Sequence, residues 1–157
     1  MIQRKQTLFL FFAAVALALD FFFPLAKFIG ENDSVILYIY KTETLLPEPK
    51  MPFTFNFILP LLIIAGLSIL MSFGAIFMFK NRPGQMKVVK LVILLVAIEV
   101  GLFFLYYVDK LEEYTKAVAE YDIAGVSAPL AAIVLLVLAY RGIVHDERLV
   151  KSADRLR

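Results

Sequence analysis

The sequence predicts an all-α membrane protein, a bundle of four transmembrane helices with a short β segment outside the bilayer. Three observations lead there. Hydrophobic residues make up 61% of the 157 positions, more than a water-soluble core of this size requires. They gather into four stretches, 7–29, 54–79, 88–108 and 125–144, and each reaches the roughly 20 residues needed to cross a hydrocarbon layer about 30 Å thick. Lys and Arg favour alternate connections, the pattern of a chain that crosses a bilayer repeatedly.

The first stretch follows a basic start, Met1-Ile-Gln-Arg-Lys5, as a signal peptide would. Its apolar run is longer than the roughly 7–15 residues of such a segment, and no small-residue cleavage site follows. It is therefore read as an uncleaved helix. Between the first two spans, Ser34–Tyr40 is rich in β-branched and aromatic residues and reads as a short strand. Pro47, Pro49 and Pro52 then favour an extended return over a helix. A lone hairpin is marginal in water, so this segment is expected to lie against the bundle or a partner.

Spans two and three are joined by Lys80-Asn-Arg-Pro-Gly-Gln85, where Pro83-Gly84 is a strong turn signal. The two spans are expected to be antiparallel neighbours. After span three, Leu111, Tyr114, Val118 and Tyr121 fall at helical spacing among Lys and Glu, which predicts an amphipathic continuation or a separate surface helix. The tail 145–157 mixes both charge signs with Leu149, Val150 and Leu156, so it suits a helix on its own membrane or against a partner.

Orientation follows from the cations. Arg4, Lys5, Lys80, Arg82, Lys87, Lys90, Arg141, Arg148, Lys151, Arg155 and Arg157 fall to one side. Lys27, Lys41, Lys50, Lys110 and Lys116 fall to the other, among nine acids. Both termini are therefore placed in the cytoplasm, which agrees with an even number of spans. One domain fills the chain, with no room for a separate soluble catalytic domain.

Within lipid, helices approach closely where residues are small. Ala65, Ser68, Ser72 and Ala75 form such a stripe on span two; Ala128, Ala131, Ala132, Ala139 and Gly142 form one on span four. Packing within the bundle is the leading reading and homodimerisation the second. Pro24, Pro60 and Pro129 lie near expected outer ends, where few backbone bonds are lost, and none is read as a hinge.

Two acids stand inside the spans. Asp20 is 13 residues from the inner end of the first and Glu99 is 11 from that of the third, so both lie about 16–20 Å deep at 1.5 Å per residue. Neither has a Lys or Arg within one helical turn. A buried carboxylate without a cation takes a proton and becomes a hydrogen-bond donor, and two in contact titrate as a pair. Ionisable groups at this depth mark proton or cation pathways. The structural alternative is a protonated acid bonded to Ser68, Ser72 or a backbone carbonyl, and a third is pairing with a cation from a partner subunit.

Enzyme signals are scarce, and no enzymatic activity is predicted. The chain has no cysteine and a single histidine, so it offers neither thiol chemistry nor a multi-histidine metal site. His145, beside Asp146 and Glu147, is expected in a solvated turn. Nucleophile elbows, phosphate loops and dinucleotide fingerprints are missing, no cofactor is implied, and the mixed-sign tail does not favour nucleic acid. Its cations suit anionic lipid headgroups.

The two ends, Met1-Ile-Gln-Arg-Lys-Gln-Thr-Leu8 and Asp146-Glu-Arg-Leu-Val-Lys-Ser-Ala-Asp-Arg-Leu-Arg157, together with Tyr121-Asp-Ile-Ala124, resemble an uncharacterised family of four-pass membrane proteins of Bacteroidota, a domain of unknown function. The resemblance implies a Gram-negative inner membrane with the β segment in the periplasm. It brings no activity or catalytic residue. The first functional reading is a small inner-membrane scaffold or accessory subunit of a larger membrane complex. Arg4, Asp146, Glu147, Arg148, Asp154, Arg155 and Arg157 would form its cytoplasmic docking surface, with Arg4, Arg148 and Arg155 paired to acids. The competing reading is a proton- or cation-coupled carrier or channel using Asp20 and Glu99, and a lipid-directed enzyme ranks third.

Overall fold

A computed structural model describes residues 5–30, 33–45 and 55–155, with side chains to residue 152. In chain order the elements are α1 (Lys5–Leu19), β1 (Ala26–Ile29), β2 (Ser34–Leu37), β3 (Thr42–Thr44), α2 (Phe55–Phe77), α3 (Arg82–Leu102), α4 (Val108–Thr115), β4 (Glu120–Tyr121) and α5 (Ile123–Arg155). A π-helical stretch, Phe103–Tyr107, joins α3 to α4. Three helical rods, Phe55–Lys80, Arg82–Thr115 and Ile123–Ser152, are long and apolar enough to cross a membrane, and α1 is a shorter apolar helix.

α1 packs on α2 and α5, and α3 packs on the same two. The bundle is thus a square in cross-section, with α1 and α3 on one diagonal and α2 and α5 on the other. Inward-facing residues recur at alternating steps of three and four, as in Leu61, Ala65, Ser68, Ser72 and Ala75 of α2. That mean period of 3.5 belongs to left-handed helical bundles. The outer faces are apolar too: Phe11, Phe12, Leu70, Phe73, Leu94, Leu105 and Val134 are exposed. A helix apolar all round suits a lipid surrounding.

α1 stops at Leu19, ten residues before the expected end of the first span, and Ala26–Ile29 is a strand. Pro24 explains the difference: it lacks an N–H, its ring collides with the carbonyl four residues back, and it drives Phe23 out of the helical region. The chain leaves the helix through short i→i−3 bonds from Phe21 to Ala18 (3.2 Å) and from Phe22 to Leu19 (2.9 Å). α3 begins at Arg82, six residues before the expected span. Pro83 and Gly84 open that helix instead of forming a free turn, with Asn81 as the cap accepting from the Gly84 N–H at 3.0 Å. Proline is favoured there because the first helical N–H groups have no intrahelical partner. A 3-10 turn, Met78–Lys80, completes the α2–α3 connection.

The predicted strand at Ser34–Tyr40 is shorter, Ser34–Leu37, and belongs to a four-stranded antiparallel sheet ordered β3-β2-β1-β4. Ala26 lies opposite Leu37 on one side and Tyr121 on the other, so the sheet ties the first connection to the one before α5. Its inner face, with Ala26, Phe28, Val35, Leu37 and Ile39, packs on Ile58, Leu61, Phe103, Tyr107 and Leu111. The Tyr107 hydroxyl, in this core, donates to the Phe57 carbonyl at 2.8 Å. Gly30 passes so near α4 that a Cβ would fall 2.0 Å from the Thr115 carbonyl oxygen. On the open side, Lys41 pairs with Glu43, which raises its pKa above the ordinary lysine value. Pro47, Pro49 and Pro52, the expected extended return, lie outside the described residues.

α4 realises only the first half of the expected amphipathic continuation: it holds Leu111 and Tyr114 but stops at Thr115, where Lys116 turns left-handed (φ 55°), so Val118 lies beyond it and Tyr121 falls in β4. Asp122 then caps α5, its carboxylate accepting from the N–H groups of Ala124 (2.9 Å) and Gly125 (3.3 Å). Removing this cap with Asp122→Ala is expected to lower stability by about 1 kcal/mol, and Asp122→Asn by much less; thermal unfolding in detergent measures both. The tail continues α5 as one helix to Arg155.

Candidate functional site

Asp20 and Glu99 line one cleft inside the bundle. Asp20 follows the last turn of α1, and Glu99 sits on the inward face of α3, so the two diagonal helices bring their acids towards the same axis. The other walls are Leu61 from α2, Leu25 below the sheet, Val100, Phe103 and Phe104 around the π-helical stretch, and Gly125, Val126 and Pro129 from α5. Leu61 and Pro129 are six residues beyond the sheet-side starts of their helices, so the cleft lies about 9 Å below that end. Both acids were expected about 16–20 Å from the inner side; with α3 starting at Arg82, Glu99 is about 26 Å from it. The site belongs to the sheet-side third of the bundle, not its middle.

Asp20 is 1% exposed and Glu99 4%. Neither Asp20 oxygen has a hydrogen-bond partner, and Oε2 of Glu99 has none. Among the described residues, no Lys, Arg or His lines the cleft. Moreover, Asp20 directly follows the C-terminus of α1, and a helix C-terminus carries partial negative charge, so no described side chain lining the cleft offsets a carboxylate anion. Pro129 has no N–H, which leaves the Gly125 carbonyl without its helical donor, and both residues line the cleft. The π-helical stretch begins one turn beyond Glu99, and such bulges widen a helix and recur at functional sites. The space suits a water-sized occupant. Among the described residues, no group of three or more His, Asp or Glu side chains is placed to hold a metal ion.

Ser68 and Ser72 do not serve the acids. Ser68 is seven residues inward of Leu61, about 10 Å, and both hydroxyls are buried without a partner. The residues that sequence reasoning missed are Gly125 and Pro129, and at the far end Gln6 and Gln85, 3% and 1% exposed. A signal for the glutamines existed: Gln6 precedes Asp20 by fourteen residues, as Gln85 precedes Glu99.

The expected docking surface is only partly described. Asp146 accepts a bond at its carbonyl from Arg82 (3.3 Å), and Glu147 pairs with Lys151 (3.3 Å). Arg148 is exposed. Arg4 and Arg157, and the side chains of Asp154 and Arg155, lie outside the described residues.

Fold and site together define a small helical protein of membrane type that encloses a two-carboxylate cleft beneath a β cover. The chain belongs to the family described as Domain of unknown function (DUF4293), whose model matches residues 2–156. Comparison with curated proteins finds no match.

Proposed function

We propose that this is a four-pass protein of a bacterial inner membrane, both termini cytoplasmic, which takes up a proton or a small monovalent cation between Asp20 and Glu99. It is a carrier or binding protein, not an enzyme. The observation that carries this reading is the pair of buried carboxylates on one cleft, with both Asp20 oxygens and Oε2 of Glu99 unpartnered. In an apolar surrounding such groups are stable only when they hold a proton or a cation. Four spans are supported by α1 lying between α2 and α5: when those cross the bilayer, α1 crosses with them. The orientation is supported by Arg82, Lys87, Lys90 and Arg148 at one end and Asp109, Glu112, Glu113, Glu120 and Asp122 at the other.

The test is flux. In liposomes carrying an internal pH dye, the parent protein is expected to dissipate an imposed proton or Na+ gradient, and the double variant Asp20→Asn, Glu99→Gln to lose that activity while folding normally. A parent that passes neither ion, or a variant that matches it, refutes the reading.

A second reading, an accessory subunit docked through the cytoplasmic face, is supported by the Arg82–Asp146 bond, which joins the α2–α3 turn to the tail in one surface. Crosslinking in native membranes that always returns the protein alone would eliminate it.

A further inference from the structure

Both ends of the bundle have a fixed register. At the sheet end, Asp20, Leu61, Glu99 and Pro129 share the cleft. At the other end, the Gln85 amide donates to the Ala75 carbonyl at 2.8 Å, and Gly142, next to the buried Ile143, lies against Gln6: a Cβ there would be 3.2 Å from the Gln6 Cβ. Between these ends each helix face makes the same number of three- and four-residue steps. The faces run Gln6, Leu10, Ala13, Leu17, Asp20 on the first strand of the bundle and Gln85, Val89, Val92, Val96, Glu99 on its diagonal counterpart, with identical spacing. α1 and α3 are therefore equivalent about the bundle axis, as in parallel internal repeats of membrane proteins. Their glutamines lie at one level and their acids at another.

The interior is thus a stack of layers about 5 Å apart. Gln6 and Gln85 form the first. Ser72 enters the second beside Leu10, Val89 and Ala139, Ser68 the third beside Ala13, Val92 and Leu136, and the acids occupy the fifth. The fourth, Leu17, Ala65, Val96 and Ala132, is wholly apolar. Both amide atoms of Gln6, Oε1 of Gln85 and the hydroxyls of Ser72 and Ser68 are buried without partners. Small size alone does not account for the serines, since α5 meets the same layers with Ala139 and Leu136. Alanine would fill a seam without burying a hydroxyl.

We propose that the first three layers form a hydrated proton route from the glutamine end, closed from the Asp20–Glu99 cleft by the Leu17–Ala65–Val96–Ala132 layer. It rests on the reading of the two acids as the proton site and adds the way in. Water bonded to the amides and hydroxyls satisfies the orphaned groups. A proton passes along it by exchange of O–H bonds between water oxygens and needs no co-reactant. Opening of the one layer without a polar side chain then admits it to a carboxylate.

The cysteine-free chain suits a direct test with the full protein in membrane vesicles of both orientations. Single variants Ser72→Cys, Ser68→Cys, Ala65→Cys, Leu61→Cys and the outward-facing Leu70→Cys are exposed to Ag+ from one side, then denatured and labelled with a maleimide. Silver added on the glutamine side is expected to abolish labelling of Ser72→Cys and Ser68→Cys and to leave Ala65→Cys and Leu70→Cys labelled. Silver from the sheet side is expected to block Leu61→Cys. If Ser72→Cys and Ser68→Cys keep their label as Ala65→Cys does, the route is refuted. Leu61→Cys reports separately on the cleft, so protection of Leu61→Cys alone leaves the carboxylate reading standing without this route.

Discussion

Gly125→Ala is expected to lower the thermal midpoint of the detergent-solubilised protein by several degrees, more than a methyl added at any other helical glycine. A Cβ at position 125 would fall 2.1 Å from the Pro24 carbonyl oxygen and 2.9 Å from its carbon. Both atoms are backbone, so no rotamer relieves the clash. Nor can the segment slide: the Leu25 N–H donates to the Leu37 carbonyl at 2.8 Å, and the Leu25 carbonyl accepts from the Asp122 N–H at 3.1 Å. Moving it breaks the sheet register or the entry into α5. Overpacking of this kind costs about 1–3 kcal/mol, and about 2–4 °C accompanies each kcal/mol in a chain of this size. Gly66→Ala and Gly101→Ala are the controls. Nothing lies within 4 Å of either added Cβ, and alanine's better helix propensity favours a small gain. If Gly125→Ala melts with these controls, α5 does not approach Pro24 as described.

Leu61→Lys and Ala65→Lys are expected to behave in opposite ways although they are one turn apart on the same face of α2. Position 61 opens on the cleft with Asp20 and Glu99, where an ammonium finds three carboxylate oxygens without partners. The variant should fold, melt at or above the parent's temperature, and lose proton or cation uptake because the site holds its own counter-ion. Position 65, 2% exposed, looks into the apolar layer of Leu17, Val96 and Ala132. An unpaired charge buried there is destabilising by about 3–5 kcal/mol, enough to prevent recovery of a monodisperse protein. Size-exclusion chromatography and thermal unfolding decide both. Equal failure of the two variants would mean that the acids are already paired by groups other than those lining the cleft.

β1, inside the first apolar stretch, and β4, inside the expected helical run, were not readable from the chain, whereas the apolar stretches, the strand at Ser34–Leu37 and the two interior acids were. Each depends on composition within one segment. Hydrophobic length selects a spanning helix, and the Ser34–Leu37 run of β-branched residues selects a strand. The shortened α1 was readable too, since Pro24 stands inside the first stretch. There a hydropathy reading outweighed a backbone rule that acts on a single residue. The Pro83-Gly84 dipeptide misled for the opposite reason: the same two residues serve a turn or a helix start, and the Asn81 cap decides which.

What the chain alone determined is the class: how many apolar segments there are, which residues in them are charged, and which end of each is basic. Transfer free energy is additive along a segment, so it can be summed without knowing the neighbours. Only the tertiary structure decided that Asp20 and Glu99 open on one cleft, that Ser68 and Ser72 stand layers away from them, and that Gly125 must remain bare. Those facts depend on the register of four helices against one another and on the sheet that holds the two connections together. Register is set by packing between segments distant in sequence, which no local pattern records.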